Sequence, residues 1–383
     1  MSLVVDVDSH WEITAEGPGY FPVDDYRDGA PDHLGTLRNA LAGDVMRAVP
    51  PEMRPADRDL LAHLIAASDD GIARVHPAHR ATADERVAWM DRIGIDQELV
   101  NPGTYWQRLP LLGAGRATAA MKLNDYLGEQ LWDHRDRLHG VAAVDFTDLD
   151  AAVKELTRVR DLGFRAFFLY TEYGHPPGGV SPGHTTWDRV WAAATDLGML
   201  AVIHTGNTEG DFDGWANVDW NAPNSSGFGG LLRLANSQRM PNAQRLLDAI
   251  LFGGVFARHP TLTVLVEEMW HGWLPWYVRR MDATTQPNPI LGPWPYELTA
   301  GEFLRRNVRL TPLPGFGDGY GLDVLAELPE MIVFSSDYPH LEGNADPITL
   351  YGAALDELDA ELRSQFLGEN IAACFTRMGD PLR

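Results

Sequence analysis

Twice in this chain, at 161–163 and 196–198, the triplet Asp-Leu-Gly stands between a stretch of helical periodicity and an apolar run. Glycine just past a helix supplies the left-handed residue that ends it, so each triplet marks a helix stop followed by a strand. Repetition of that unit predicts a parallel βα architecture. Strands are expected at 3–9, 95–101, 138–144, 164–170, 200–204, 262–267, 307–311 and 331–335. Helices are expected over 82–91, opened by the capping box Thr82-Ala-Asp-Glu85, and over 114–133, 148–162, 186–197, 244–257, 274–282 and 354–367. Eight strands alternating with helices predict an α/β fold, a (β/α)8 TIM-type barrel. An open doubly wound sheet is the second choice, and the missing glycine-rich phosphate fingerprint disfavours it. One domain over 1–383 is expected, with long insertions after strands one and five, at 13–82 and 205–243. Segments of that length in a compact domain are more often functional lids than linkers.

Composition removes several classes of partner. The formal net charge of −23 argues against nucleic acid or an anionic membrane, since both need a basic surface. Cys374 is the only cysteine, so neither a disulfide framework nor a thiolate metal site is available. Residues 1–7 are too short and acidic for a signal peptide, and no apolar run approaches a membrane span. A cytoplasmic protein is expected.

In such a barrel, chemistry collects where the strands end. The first strand runs into Asp6-Val-Asp-Ser-His-Trp-Glu12, where period two puts Asp6, Asp8, His10 and Glu12 on one face. A row of carboxylates and imidazole is costly to bury unless a cation neutralises it. His204 ends the fifth strand, Glu267, Glu268 and His271 follow the sixth, and Asp337 follows the eighth. Each alone reads as an ordinary buried polar residue; their convergence on one ring of loops points to a metal site.

The motifs resemble those of the amidohydrolase-related group that includes aromatic-acid decarboxylases. They are Val-Asp-Val-Asp-Ser-His at 5–10, Gly-Ile-Asp at 94–96, Val-Ile-His-Thr-Gly at 202–206 and His-Pro-Thr-Leu-Thr-Val at 259–264. Gly-Trp-Leu-Pro-Trp-Tyr-Val-Arg-Arg-Met-Asp at 272–282 and Phe-Ser-Ser-Asp-Tyr-Pro-His at 334–340 complete the set. The resemblance implies metal ligands at Asp8, His10, His204 and Asp337, and frequent dimers. This chain departs from the group in three ways. Asp8-Ser-His10 replaces a His-X-His pair, Glu12 comes two residues after the histidine rather than three, and Met269 takes a histidine position with His271 displaced by two. The dinuclear members bridge two ions with a carbamylated strand-four lysine, and the fourth strand here has none; Lys122 and Lys154 are the only lysines.

Two functional readings follow. In the first, Asp8, His10 and Asp337 hold one iron, His204, Glu268 and His271 hold another, and Glu12 or Glu268 bridges them. Glu268-X-X-His271 is the one-turn helical spacing of carboxylate-bridged di-iron bundles. The combination is similar to the nonheme di-iron monooxygenases with an amidohydrolase barrel of platensimycin and platencin diterpenoid biosynthesis. It implies dioxygen, an apolar diterpenoid-like substrate, and a coenzyme A thioester as a conceivable anionic handle for arginines at 279, 280, 305, 306 and 309. Glu12, Glu268 and His271 are then the catalytic residues. In the second reading, one zinc or manganese serves a hydrolase or nonoxidative decarboxylase of a small carboxylic acid, with His271 or Glu268 moving the proton. His340 is expected to support the ligands by hydrogen bonding.

Overall fold

The computed structural model describes residues 3–11, 81–103, 106, 109–110, 114–172, 174–205, 237, 239–313, 322–340 and 343–382. Most of both expected insertions, and Glu12, lie outside them.

Seven strands form one curled, all-parallel sheet in chain order. They are β1 (Val5–His10), β2 (Gln97–Asn101), β3 (Leu138–Ala142), β4 (Ala166–Phe168), β5 (Leu200–Ile203), β6 (Val264–Val266) and β7 (Val308–Leu310). Every residue in these strands is buried, as strands covered on both faces require. The eighth expected strand is an extended run without a ladder of its own. Leu310 N donates to Met331 O (2.8 Å) and Val333 N to Leu310 O (3.1 Å). On the other side Val7 N donates to Phe334 O (3.2 Å) and His10 N to Tyr338 O (2.8 Å). The sheet thus curls until its two edges share this one segment, as a TIM-type barrel requires.

The helices follow the strands. They include α1 (Ala83–Ile93), α2 (Arg116–Leu131), α3 (Leu149–Asp161), α4 (Asp188–Asp196), α5 (Arg239–Phe252), α6 (Leu274–Thr284) and α7 (Ala300–Asn307). In α3, Ala152, Leu156 and Val159 are buried at helical spacing, and the Asp148 side chain caps the first turn by accepting from Asp150 N and Ala151 N. Burial of a side chain such as Leu156 contributes about 1.5–3 kcal/mol. Both Asp-Leu-Gly stops have the expected geometry, with Gly163 at φ 98° and Gly198 at φ 67°. A Cβ at Gly198 would meet Asp380 Cβ at 2.6 Å, so that glycine also admits the C-terminal chain. The helix α7 was not expected, although its capping box is plain in the sequence: Thr299 N donates to Glu302 Oε2 (2.7 Å) and Glu302 N to Thr299 Oγ1 (3.2 Å). The closing helix expected at 354–367 starts later, at Ala360–Ser364, and runs on through a π-helical turn at Gln365–Glu369 into Asn370–Arg377, while a separate helix, Pro347–Leu355, precedes it. No helix among the described residues is long and apolar enough to cross a membrane.

Candidate metal centre

Strict alternation along β1 would leave Asp6 beside Asp8 and His10. The pairing of β1 with β2 instead slips between Asp6 and Ser9, two residues of β2 answering three of β1. Such a bulge redirects the side chains around it. Asp6 accordingly leaves the row and accepts a hydrogen bond from Ser336 N at 2.9 Å, while Asp8 and His10 go to the barrel mouth.

There the donor atoms crowd around His10 Nε2. Asp8 Oδ1 and Asp337 Oδ1 each lie 3.2 Å from it, His204 Nε2 3.4 Å and Glu268 Oε1 3.6 Å. His204 Nε2 is also 3.4 Å from Glu268 Oε1 and 3.6 Å from Asp8 Oδ1. Donors about 2.1 Å from one shared ion sit roughly 3.0–3.4 Å apart in tetrahedral or octahedral arrangements, close to this spacing. His204 Nδ1 donates to Thr205 O at 2.9 Å, which fixes the tautomer and leaves Nε2 for the cluster. His340 joins from the rim, with Nδ1 2.8 Å from Asp337 Oδ1 and its ring stacked on His10 at 3.8 Å.

Two of these side chains are carried by unusual backbone. Glu268 (φ 55°), Trp270 (φ 63°) and Asp337 (φ 53°) are the non-glycine residues at positive φ among those described. Such conformations cost on the order of 1–3 kcal/mol each and persist where surrounding structure enforces them, commonly at functional sites. They also explain where His271 goes. The one-turn spacing expected of Glu268 and His271 presumes a helix, but α6 begins only at Leu274 and left-handed Trp270 turns the chain between them. His271 therefore lies outside the donor cluster, with Nε2 3.8 Å from Asp323 Oδ1. The expected second set, His204 with Glu268 and His271, is not assembled; His204 and Glu268 share the centre with Asp8 and His10 instead.

The electrostatics call for a cation. Burial and His340 push the His10 imidazole down, yet Asp337, Asp8 and Glu268 outweigh them and lift it to about 10. Burial likewise opposes charge on His204, but Glu268 and Asp8 raise it well above its usual value. Burial works to raise Glu268, and the two imidazoles hold it well below the usual carboxylate range. Burial and the Glu268 charge raise Asp337 to about 7. Glu268 Oε1 and Asp337 Oδ2 are buried without a hydrogen-bond partner. Buried acceptors left unsatisfied are costly, and a divalent ion fits this set of oxygen and imidazole donors.

Asn101 was missed by sequence reasoning. Its Nδ2 donates to Asp8 Oδ1 (2.9 Å) and to Glu267 Oε2 (3.2 Å), tying two carboxylates together behind the cluster. Burial, then the Asp8 charge, raises Glu267 well above its usual value. Asn101 ends β2, so the strand-end rule could have found it. On the β4 side the wall is aromatic: Phe168 and Trp106 stack at 4.0 Å, and both meet the His204 ring edge-on, at 6.1 and 5.9 Å. The strand β4 itself, Ala166–Phe168, carries no lysine.

The family profile for Amidohydrolase matches residues 6–377. The chain belongs to this family. Its fold is that of an amidohydrolase from Mycobacterium avium subsp. paratuberculosis K-10, with a TM-score of 0.66 at 20% identity, over 98% of this chain and 99% of that one. The 5-carboxyvanillate decarboxylase of Novosphingobium aromaticivorans DSM 12444, complexed with manganese and 4-hydroxy-3-methoxy-5-nitrobenzoic acid, gives a TM-score of 0.59 at 19% identity, over 98% and 96% of the two chains. In sequence, the gamma-resorcylate decarboxylase of Polaromonas sp. (strain JS666 / ATCC BAA-500) is 24% identical over 265 residues, 67% of this chain and 76% of the relative. The chain is thus a metal-dependent enzyme of the amidohydrolase family. The expectation of two irons and a monooxygenase gains no support from these relatives, two of which are named as decarboxylases.

Proposed function

We propose that this protein is a mononuclear divalent-metal enzyme that removes carbon dioxide, without oxidation, from a small aromatic carboxylic acid. The observation that carries this reading is the convergence of five donors, from Asp8, His10, His204, Glu268 and Asp337, around His10 Nε2. They fall into two overlapping sets that share His10 and Glu268, one completed by Asp8 and His204 and the other by Asp337 and His340, and we read them as one centre. The activities named for the relatives supply the substrate class.

Those five residues would hold manganese or zinc, which when bound neutralises the substrate's anionic oxygens and so stabilises developing negative charge. Trp106 and Phe168 offer a flat apolar wall beside His204 for an aromatic ring. In the reaction, the bond from ring carbon to carboxyl carbon breaks, its electron pair stays on the ring, and a proton takes the place of the departing carbon dioxide. No oxidant is consumed. We assign delivery of that proton to His340, whose ring stacks on His10 and whose 17% exposure lets it exchange with solvent. Glu268, a candidate for that task from the sequence, is engaged as a ligand.

The test is to purify the protein without chelator, count its metal, and incubate it anaerobically with 2,6-dihydroxybenzoate and 5-carboxyvanillate. About one manganese or zinc per chain and carbon dioxide release without oxygen are expected. About two irons per chain, with turnover that consumes dioxygen, would replace this reading by the di-iron one, with Glu12 as the first residue to examine as a further ligand.

A further inference from the structure

Behind the donor cluster, a second buried ionic group grips the turn that carries Asp337. Asp6 accepts from Ser336 N at 2.9 Å, and Ser336 Oγ donates to the other oxygen of the same carboxylate. Ser336 Oγ in turn accepts from Tyr338 N at 3.0 Å, so this hydroxyl spans Asp337 from one side to the other. Arg86 of α1 closes the grip from outside. Its Nε donates to Glu98 Oε2 at 2.8 Å and its Nη2 to Tyr338 O at 3.2 Å, while the guanidinium lies over the Tyr338 ring at 4.4 Å. Ser9 Oγ donates to Glu98 Oε2 at 3.3 Å, and Trp89 stacks on Tyr338 at 4.0 Å. Asp6, Glu98, Arg86 and Ser336 are each at least 94% buried.

A barrel needs no two carboxylates and an arginine buried between β1, β2 and α1; apolar side chains would pack there at no desolvation cost. What this group has that apolar packing lacks is direction. Each of its bonds to the 336–338 turn ends on Ser336 or Tyr338, the two residues flanking Asp337, which is held at φ 53°. The backbone of the turn is also tied to β1, with Asp337 N donating to Asp8 O at 2.8 Å, and the ionic group adds a side-chain hold on both residues that flank Asp337, whose Oδ1 lies 3.2 Å from His10.

We propose that Asp6, Ser336, Arg86 and Glu98 are positioning residues that set metal affinity by holding Asp337 in its left-handed turn. The inference rests on the metal-centre reading above. Partners that orient metal ligands typically account for about 10–100-fold of affinity.

The test is manganese titration of the metal-free full-length protein, read by the electron paramagnetic resonance of free and bound ion, alongside thermal unfolding without metal. Ser336→Ala is expected to weaken manganese binding at least tenfold and to change the bound-ion spectrum, and Ser336→Thr, which keeps the hydroxyl, to recover most of the affinity. Arg86→Lys is the second probe, expected to weaken binding several-fold because lysine cannot serve Glu98 and the Tyr338 carbonyl together. Asn124→Ala is the control for lost stability alone, since Asn124 bonds Ala143 on β3's exit, away from Asp337. It should lower the unfolding temperature and leave the affinity unchanged. The proposal is overturned if Ser336→Ala and Arg86→Lys bind manganese within twofold of the parent, or if Asn124→Ala weakens binding as much as they do. A parent protein that binds neither manganese nor zinc overturns the metal-centre reading itself, and this inference with it.

Discussion

His10 and His139 are buried to nearly the same degree, 2% and 3% exposed, and sit one strand apart from each other across β2. Their imidazoles are driven in opposite directions. His10, among carboxylates at the carboxyl end of β1, is lifted to about 10. His139, near the amino end of β3, donates from Nε2 to Gln97 Oε1 at 2.9 Å, and burial together with Arg165 and Arg160 lowers it to about 3. Burial pushes both the same way; the sign of the neighbouring charge decides. The carboxyl end of the sheet surrounds His10 with carboxylates, whereas arginines 160 and 165 stand near His139, so the two buried imidazoles are shifted in opposite directions.

The comparison can be broken at the mouth with the largest effect. His10→Ala removes the atom on which the other donors converge. Metal bound after dialysis should become undetectable by elemental analysis, and decarboxylation should fall by at least about a thousandfold. Retention of full metal content in that variant would dissolve the proposed centre. A smaller step is Glu268→Gln, which keeps shape and one oxygen but removes charge. Manganese affinity should drop about ten- to a hundredfold by calorimetric titration, and an unchanged affinity would put Glu268 outside the ligand set.

The gentlest probe lies at the opposite end. In the folded protein His139 stays neutral until about pH 3, whereas in the unfolded chain it takes up a proton near pH 6.5. Between those values the unfolded state binds more protons, so the stabilising contribution is complete above about pH 6.5 and is lost as pH falls toward 3. His139→Gln should therefore flatten the fall of the unfolding temperature between about pH 6.5 and 4 relative to the parent. Parallel curves for the two proteins would show that His139 is not the neutral group described.

How far the site was legible depends on how local its determinants are. Asp8, His10, His204 and Asp337 could be named from strand ends and motifs, and Glu268 from its place after β6. His271 was put beside Glu268 on a helical spacing that a left-handed Trp270 abolishes, and nothing in Glu-Met-Trp-His announces that turn. Asp6 was put on the same face as Asp8 by a period that a bulge interrupts. Asn101 and the aromatic wall were overlooked because an amide or a phenylalanine carries no chemistry of its own until its neighbours are known.

Read by itself, the sequence determined most of the succession of strands and helices, the glycine stops, and Asp8, His10, His204, Glu268 and Asp337 as residues of the barrel mouth. Those follow from periodicity and capping, which act within a few residues of one another. Only the tertiary structure decided which donors share one centre and which carboxylates serve as support. That choice depends on contacts such as Asp6 with Ser336, 330 residues apart, which exist only once the last segment has been drawn against β1 and have no trace in any local pattern.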